Sequence, residues 1–193
     1  MTDYFALLEQ PRRPWLDLEE LKQAFHSQSL LNHPDVQGSA ASETEAGFEQ
    51  INEAHQALKD PKRRLQHLLA LENYSAPSGG TIPKELEDLF PEVAFITQEA
   101  ERVRQQALAV TNALSRSLLR AELLGAQNGI VAILEKLLSL QREAEGELQQ
   151  LSHSWTESGS DRFEQLHGLY VRFSYVTRWI AELDEKQTQL STF

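Results

Sequence analysis

Few residues in this 193-residue chain could do chemistry. There are six histidines (His26, His33, His55, His67, His153 and His167) and no cysteine. None of the histidines forms an HExxH, and no His/Glu pairing has the spacing of a di-metal site in a helical bundle. There is no P-loop, no GxGxxG and no GxSxG. Disulfides, Cys-based zinc sites and thiol chemistry fall away with the cysteines. The expectation is a protein that is not an enzyme, with no catalytic residue, no metal and no cofactor. One tripeptide stands apart, His33-Pro34-Asp35. Pro34 fixes its own φ, lacks a backbone donor and pushes His33 out of the α region, so the helix before it should end near Asn32. Asp35 is then an unpaired carboxylate in an exposed turn, suited to a bidentate pair with an arginine of another protein. A turn that needs only Pro and Asp would look the same, so the flanking elements decide.

Those elements read as helices over Leu18–Leu31 and roughly 43–58. Asp17 is a good N-cap, with Glu19 and Glu20 favourable in the first turn. Leu18, Leu21, Phe25 and Ser29 share one face, and Lys22 and His26 lie one turn apart on the other. Past the 37–42 loop, Phe48, Ile51, His55 and Leu58 make an apolar stripe, with His55 read as a packed core residue. Pro61 opens another helix at its first position, with Leu65, Leu68, Leu69 and Leu71 apolar. A short helix over residues 3–9 turns Phe5 and Leu8 inward.

Residues 73–83 are rich in Gly, Pro and Ser and read as a linker between domains at 1–72 and 84–193. A short helical piece runs to Phe90. Pro91 then starts a long helix whose apolar positions run from Val93 to Leu114 and Leu118. Residues 125–129 read as a turn, Ile130 to Trp155 as the next helix, and Ser160 or Asp161 as the cap of a third. The expected fold is all-α: a helical hairpin with short flanking helices, then an antiparallel three-helix bundle.

The net charge of −11 argues against nucleic-acid binding. No apolar run is expected to reach membrane-helix length. A first element at about Asp3 leaves no signal or transit segment, so the expected compartment is cytoplasmic. Self-association through an exposed bundle stripe stays open.

The order of elements resembles a J-domain, the module by which co-chaperones engage DnaK-type heat-shock chaperones. It is carried by Asp3-Tyr4-Phe5-Ala6-Leu7-Leu8-Glu9, the amphipathic helix, His33-Pro34-Asp35, Ile51-Asn52-Glu53-Ala54-His55-Gln56-Ala57-Leu58 and Asp60-Pro61-Lys62-Arg63-Arg64. The resemblance implies a chaperone-binding set of His33, Pro34, Asp35, Lys22 and His26. It departs from the family where a Lys/Arg-rich face is usual, since here that face carries Lys22, His26, Gln28 and Asn32. Val36 stands where a Lys is common. Weaker electrostatic steering follows. Arg63 and Arg64 would compensate only if they are not simply a solvated helix face.

With the helical second half, the whole chain resembles the HscB family. Arg64-Leu65-Gln66-His67-Leu68-Leu69-Ala70-Leu71 carries this, more loosely joined by the 93–101 and 178–183 segments. The resemblance implies a DnaK/HscA-type partner, an IscU-like iron–sulfur scaffold as client, and a client-binding set of Ile96, Ala100, Glu101 and Trp179. Thr97, Ala100 and Arg104 depart from the larger apolar and acidic residues of that patch. The competing readings are a degenerate J-like adaptor or assembly protein that does not activate a chaperone, and a Trp179 that belongs to the bundle core.

Overall fold

The computed structural model describes residues 1–31, 41–76, 82–153, 155 and 160–193, and among these every regular element is a helix. Helix α1 (Tyr4–Leu7) is capped by Asp3, whose Oδ1 accepts from the Phe5 and Ala6 amides. Helix α2 (Leu18–Leu31) is capped by Asp17, which accepts from the Glu19 and Glu20 amides at 2.8 and 3.0 Å. Helix α3 (Ala41–Lys59) packs on both α1 and α2. Helix α4 (Pro61–Leu71) follows after Asp60, which caps it through the Arg63 amide. Phe5, Leu8, Leu21, Ile51, Leu58, Leu65 and Leu68 are all but fully buried, the apolar stripes having found one another. Leu18 departs from its expected face and is half exposed, as befits the first residue after a cap. Asn73, at φ +52°, stops α4 in the left-handed region that Asn tolerates.

Three long helices follow: α5 (Lys84–Ala109), α6 (Ala113–His153) and α7 (Ser160–Leu190). Three expectations need correcting here. Pro91 does not begin α5 but lies inside it. Leu86, Leu89, Val93 and Ile96 keep their 3–4–3 spacing across it and are all buried, and this offsets the hydrogen bond Pro91 cannot donate. The helix ends at Ala109 rather than running on to Leu118. Asn112 instead caps α6, its Oδ1 accepting from the Ser115 amide at 2.8 Å, and Leu114 and Leu118 are exposed. Finally, Gly125-Ala126-Gln127-Asn128-Gly129 is no turn but the interior of a 41-residue helix. A Cβ at Gly129 would collide with Ile96 Cδ1, so this glycine permits close helix approach.

The chain forms two compact units, Met1–Ser78 with Gly146–Tyr170, and Gly79–Glu145 with Val171–Phe193. The expected division at 73–83 therefore marks only part of the boundary, since residues 146–170 belong with the first unit. There Tyr74 stacks on Phe163, and Trp155 meets Phe163 edge-on. The second unit has its own core, including Val93, Ile96, Ile130, Leu137, Val176 and Trp179. Ion pairs Lys136–Glu92 (2.5 Å) and Arg102–Glu122 (2.9 Å) join α5 to α6 along its rim. Against expectation, α6 is long and apolar enough over Leu114–His153 to cross a membrane by length and composition. That stretch also supplies Ile130, Ile133, Leu134 and Leu137 to the core.

Candidate functional site

His33, Pro34 and Asp35 lie outside the described residues, as do Asn32 and Val36. The helices on either side of them in the sequence are described. α2 and α3 are joined by a stack of Phe25 on His55, with ring centroids 4.2 Å apart and planes 19° from parallel. Burial pushes the His55 imidazole below its usual pKa, and the charges of Lys59 and His26 act in the same direction. A neutral ring stacked on phenylalanine is what the packed reading of His55 requires.

Lys22 and His26 are both exposed on α2, one turn apart as expected. Gln28 is turned aside, donating to Glu9 Oε1 at 2.9 Å. Glu19 and Glu20 sit exposed in the first turn. The outer face of α2 is thus mixed in charge rather than basic.

Arg64 is not on a solvated face. It is 1% exposed, with Nε donating to the Pro14 carbonyl at 2.8 Å, Nη1 donating to the Leu58 carbonyl at 2.6 Å, and its guanidinium over the Trp15 ring. It ties the 10–17 loop to the α3–α4 corner, and so fixes where α2 begins. Only Arg63 of the pair is exposed. An amphipathic reading places any arginine outward, so no sequence signal separated the two.

The second unit does not present the expected client residues together. Ile96, Ala100 and Trp179 are core side chains, Trp179 being 2% exposed with the Phe90 ring edge-on at 5.0 Å. A client surface that used Trp179 beside Ile96 would need both side chains open to solvent, and here both are buried, as the core reading of Trp179 expects. Glu101 is partly open and pairs with Arg104 (2.6 Å) and Lys186 (2.8 Å). Hydrogen bonds from Arg104, Lys186 and Gln105 hold its carboxyl well below the usual range. Phe95, one residue from Ile96, is 68% exposed and was not singled out by the sequence reading.

A family profile for the DnaJ domain matches residues 3–67. These residues are a DnaJ domain. The match takes in α1, α2, α3 and the first part of α4, with the Arg64 anchor and His67 inside its end. Among curated proteins, the DnaJ domain is similar to the chaperone protein DnaJ 2 of Thermus thermophilus, 42% identical over 62 residues, covering 32% of this chain and 21% of that protein. It is also similar to the human DnaJ homolog subfamily B member 3, 36% identical over 64 residues, covering 33% of this chain and 43% of that protein. With the chaperone protein DnaJ of Wolinella succinogenes the similarity is 34% over 100 residues, covering 49% of this chain and 25% of that one. The chain spans less than half the length of these relatives. Over nearly the whole chain the likeness is one of fold. The chaperone HscB from Vibrio cholerae superposes with a TM-score of 0.62 at 21% identity, covering 98% of this chain and 99% of that one. The expected HscB-like fold is therefore shared over nearly the whole chain, all-α among the described residues.

Proposed function

We propose that this protein is a J-domain co-chaperone that stimulates ATP hydrolysis by an Hsp70-type chaperone of the DnaK or HscA class and hands it a client. The observation that carries this is the DnaJ domain at 3–67, with His33-Pro34-Asp35 between α2 and α3. Asp35 would pair with an arginine of the chaperone, His33 and Pro34 would shape the turn, and Lys22 and His26 would supply the charge on α2. The protein would carry out no bond chemistry itself. The HscB-like fold supports an IscU-like iron–sulfur scaffold as client, held on the second unit, where Glu101 is the one expected client residue open to it.

The mixed charge of α2 favours one other reading, an adaptor that keeps the J-domain fold and does not activate a chaperone. Single-turnover ATP hydrolysis by DnaK- and HscA-type chaperones separates the two. The expected result is a several-fold acceleration, strongest at low salt and lost in Asp35→Asn, because a neutral amide cannot replace the carboxylate. No acceleration by the wild-type protein with any such chaperone at low salt would leave the adaptor reading.

A further inference from the structure

Helix α6 carries two seams with the same spacing. Leu119, Leu123, Ala126, Ile130, Ile133 and Leu137 recur in a 4–3–4–3–4 pattern and belong to the core of the second unit. Ala121, Leu124, Asn128, Val131, Glu135 and Leu138 recur in a 3–4–3–4–3 pattern on another side, and all six are exposed. Leu124, Val131 and Leu138 are 53%, 39% and 45% exposed, one large apolar side chain every seven residues. Leu114 and Leu118 carry the exposed strip towards the start of the helix. Only 22% of the most apolar 18-residue stretch of α6 is buried within the fold. Alternation of three and four is the spacing by which one helix meets another along its length. The inner seam uses it within the unit, and the outer seam remains open to solvent.

Charges on α6 follow the same division. Those that border α5 are taken up by it, Lys136 by Glu92 and Glu122 by Arg102. Glu135 lies in the outer seam and Arg120 at its edge, and neither has an ion pair among the described residues.

We propose that the outer face of α6 pairs antiparallel with the same face of a second copy of this chain. A twofold axis at the level of Ala126 sets Leu138 of one copy opposite Leu114 of the other, Val131 opposite Ala121 and Leu124 opposite Asn128. Glu135 then falls opposite Ser117 and within one turn of Arg120, and the axis makes this ion pair twice. A parallel pair would set Glu135 against Glu135, which like charges oppose. A bilayer would desolvate Glu135 and Asn128 with nothing to pair them. The face itself carries both members of the ion pair, at positions that the axis exchanges, as a self-complementary contact requires. From Leu114 to Leu138 the face is about 36 Å long and about 12 Å wide. Counting both copies it would bury on the order of 1,000 Å², the lower limit for a specific contact, so the dimer is weak and concentration-dependent. It uses no residue of the DnaJ domain and no expected client residue.

Sedimentation equilibrium of the full chain from about 5 to 500 μM tests this. Wild type is compared with Leu138→Lys, Arg120→Glu, Glu135→Arg and the exchanged pair Arg120→Glu/Glu135→Arg. All these positions are exposed, so the variants should fold, which circular dichroism checks. A monomer–dimer equilibrium is expected in wild type, weakened at least fivefold by Leu138→Lys and by each single charge reversal, and restored to within twofold by the exchange. A monomer throughout the range would overturn the proposal, as would a dimer indifferent to Leu138→Lys. An exchanged pair no better than the single reversals would overturn the antiparallel register. Binding of a monomeric wild type to 7:3 phosphatidylcholine:phosphatidylglycerol vesicles, lost in Leu138→Lys, would assign the face to a membrane surface instead.

Discussion

His67 accepts the Tyr4 backbone proton on Nε2 at 3.0 Å and lies flat against the Tyr4 ring, with centroids 4.3 Å apart. The hydrogen bond needs a neutral ring with its proton on Nδ1. Burial pushes the His67 pKa below its ordinary value near 6.5, with Arg12 adding to the effect and Asp3 opposing it.

A pH dependence of stability follows. A histidine whose pKa is lowered by folding contributes fully above its unfolded value, and that contribution falls as pH drops below about 6.5 towards the folded-state value. His55 acts in the same sense. Urea denaturation should therefore show stability falling between pH 7 and 5. The fall should be smaller in His67→Gln, which retains an acceptor for the Tyr4 amide without titrating. An unchanged slope in that variant would show that the ring is not held neutral.

Arg64→Met keeps much of the side-chain volume but leaves the Pro14 and Leu58 carbonyls without their donor. A loss of about 2–4 kcal/mol in the first unit's stability is expected from two buried acceptors left unpaired. Arg63→Met, one residue away and exposed, should stay within about 0.5 kcal/mol. The contrast, read by chemical denaturation, tests the anchor directly.

Gly125→Ala and Gly129→Ala should differ in sign. A Cβ at Gly125 meets nothing within 4 Å, so alanine there should stabilise α6 by about 0.5–1 kcal/mol. A Cβ at Gly129 meets Ile96 Cδ1, so alanine there should cost about 1–3 kcal/mol. Adding Ile96→Val removes the offending methyl and should recover part of the loss, giving a coupled double-mutant cycle.

Trp179→Ala should behave as a core truncation, costing about 3–5 kcal/mol in the second unit. Phe95→Ala, on the exposed side of α5, should leave stability nearly unchanged. If Trp179→Ala left thermal stability intact, the ring could not be core.

The DnaJ domain was legible because its signals are local. Asp17 and the Asp60-Pro61 pair sit one residue from helices they visibly start, and the apolar stripes between them are regular. The second unit was less legible wherever a local signal met a tertiary one. Pro91 and Gly129 read as breaks, and both lie inside helices because burying a continuous stripe, or bringing α6 against Ile96, outweighed local preference. The real break at residues 110–112 had its signal in Asn112 as a cap, hidden by an apolar stripe that ran past it. Arg64 and Trp179 mark the other limit. Residue type suggests a solvated face for Arg64, the resemblance suggests a client surface for Trp179 with the bundle core as the competing reading, and in the packed chain each is interior.

The tryptophans divide between the two units, with Trp15 and Trp155 in the first and Trp179 alone in the second. Trp179 is enclosed by Phe90 and Tyr175, with ring centroids 5.0 and 5.5 Å away. Its emission should lie to the blue and be fed by energy transfer from Tyr175. The chain thus carries a built-in optical label, and replacing Trp15 and Trp155 by phenylalanine would leave fluorescence that reports the opening of the second unit alone.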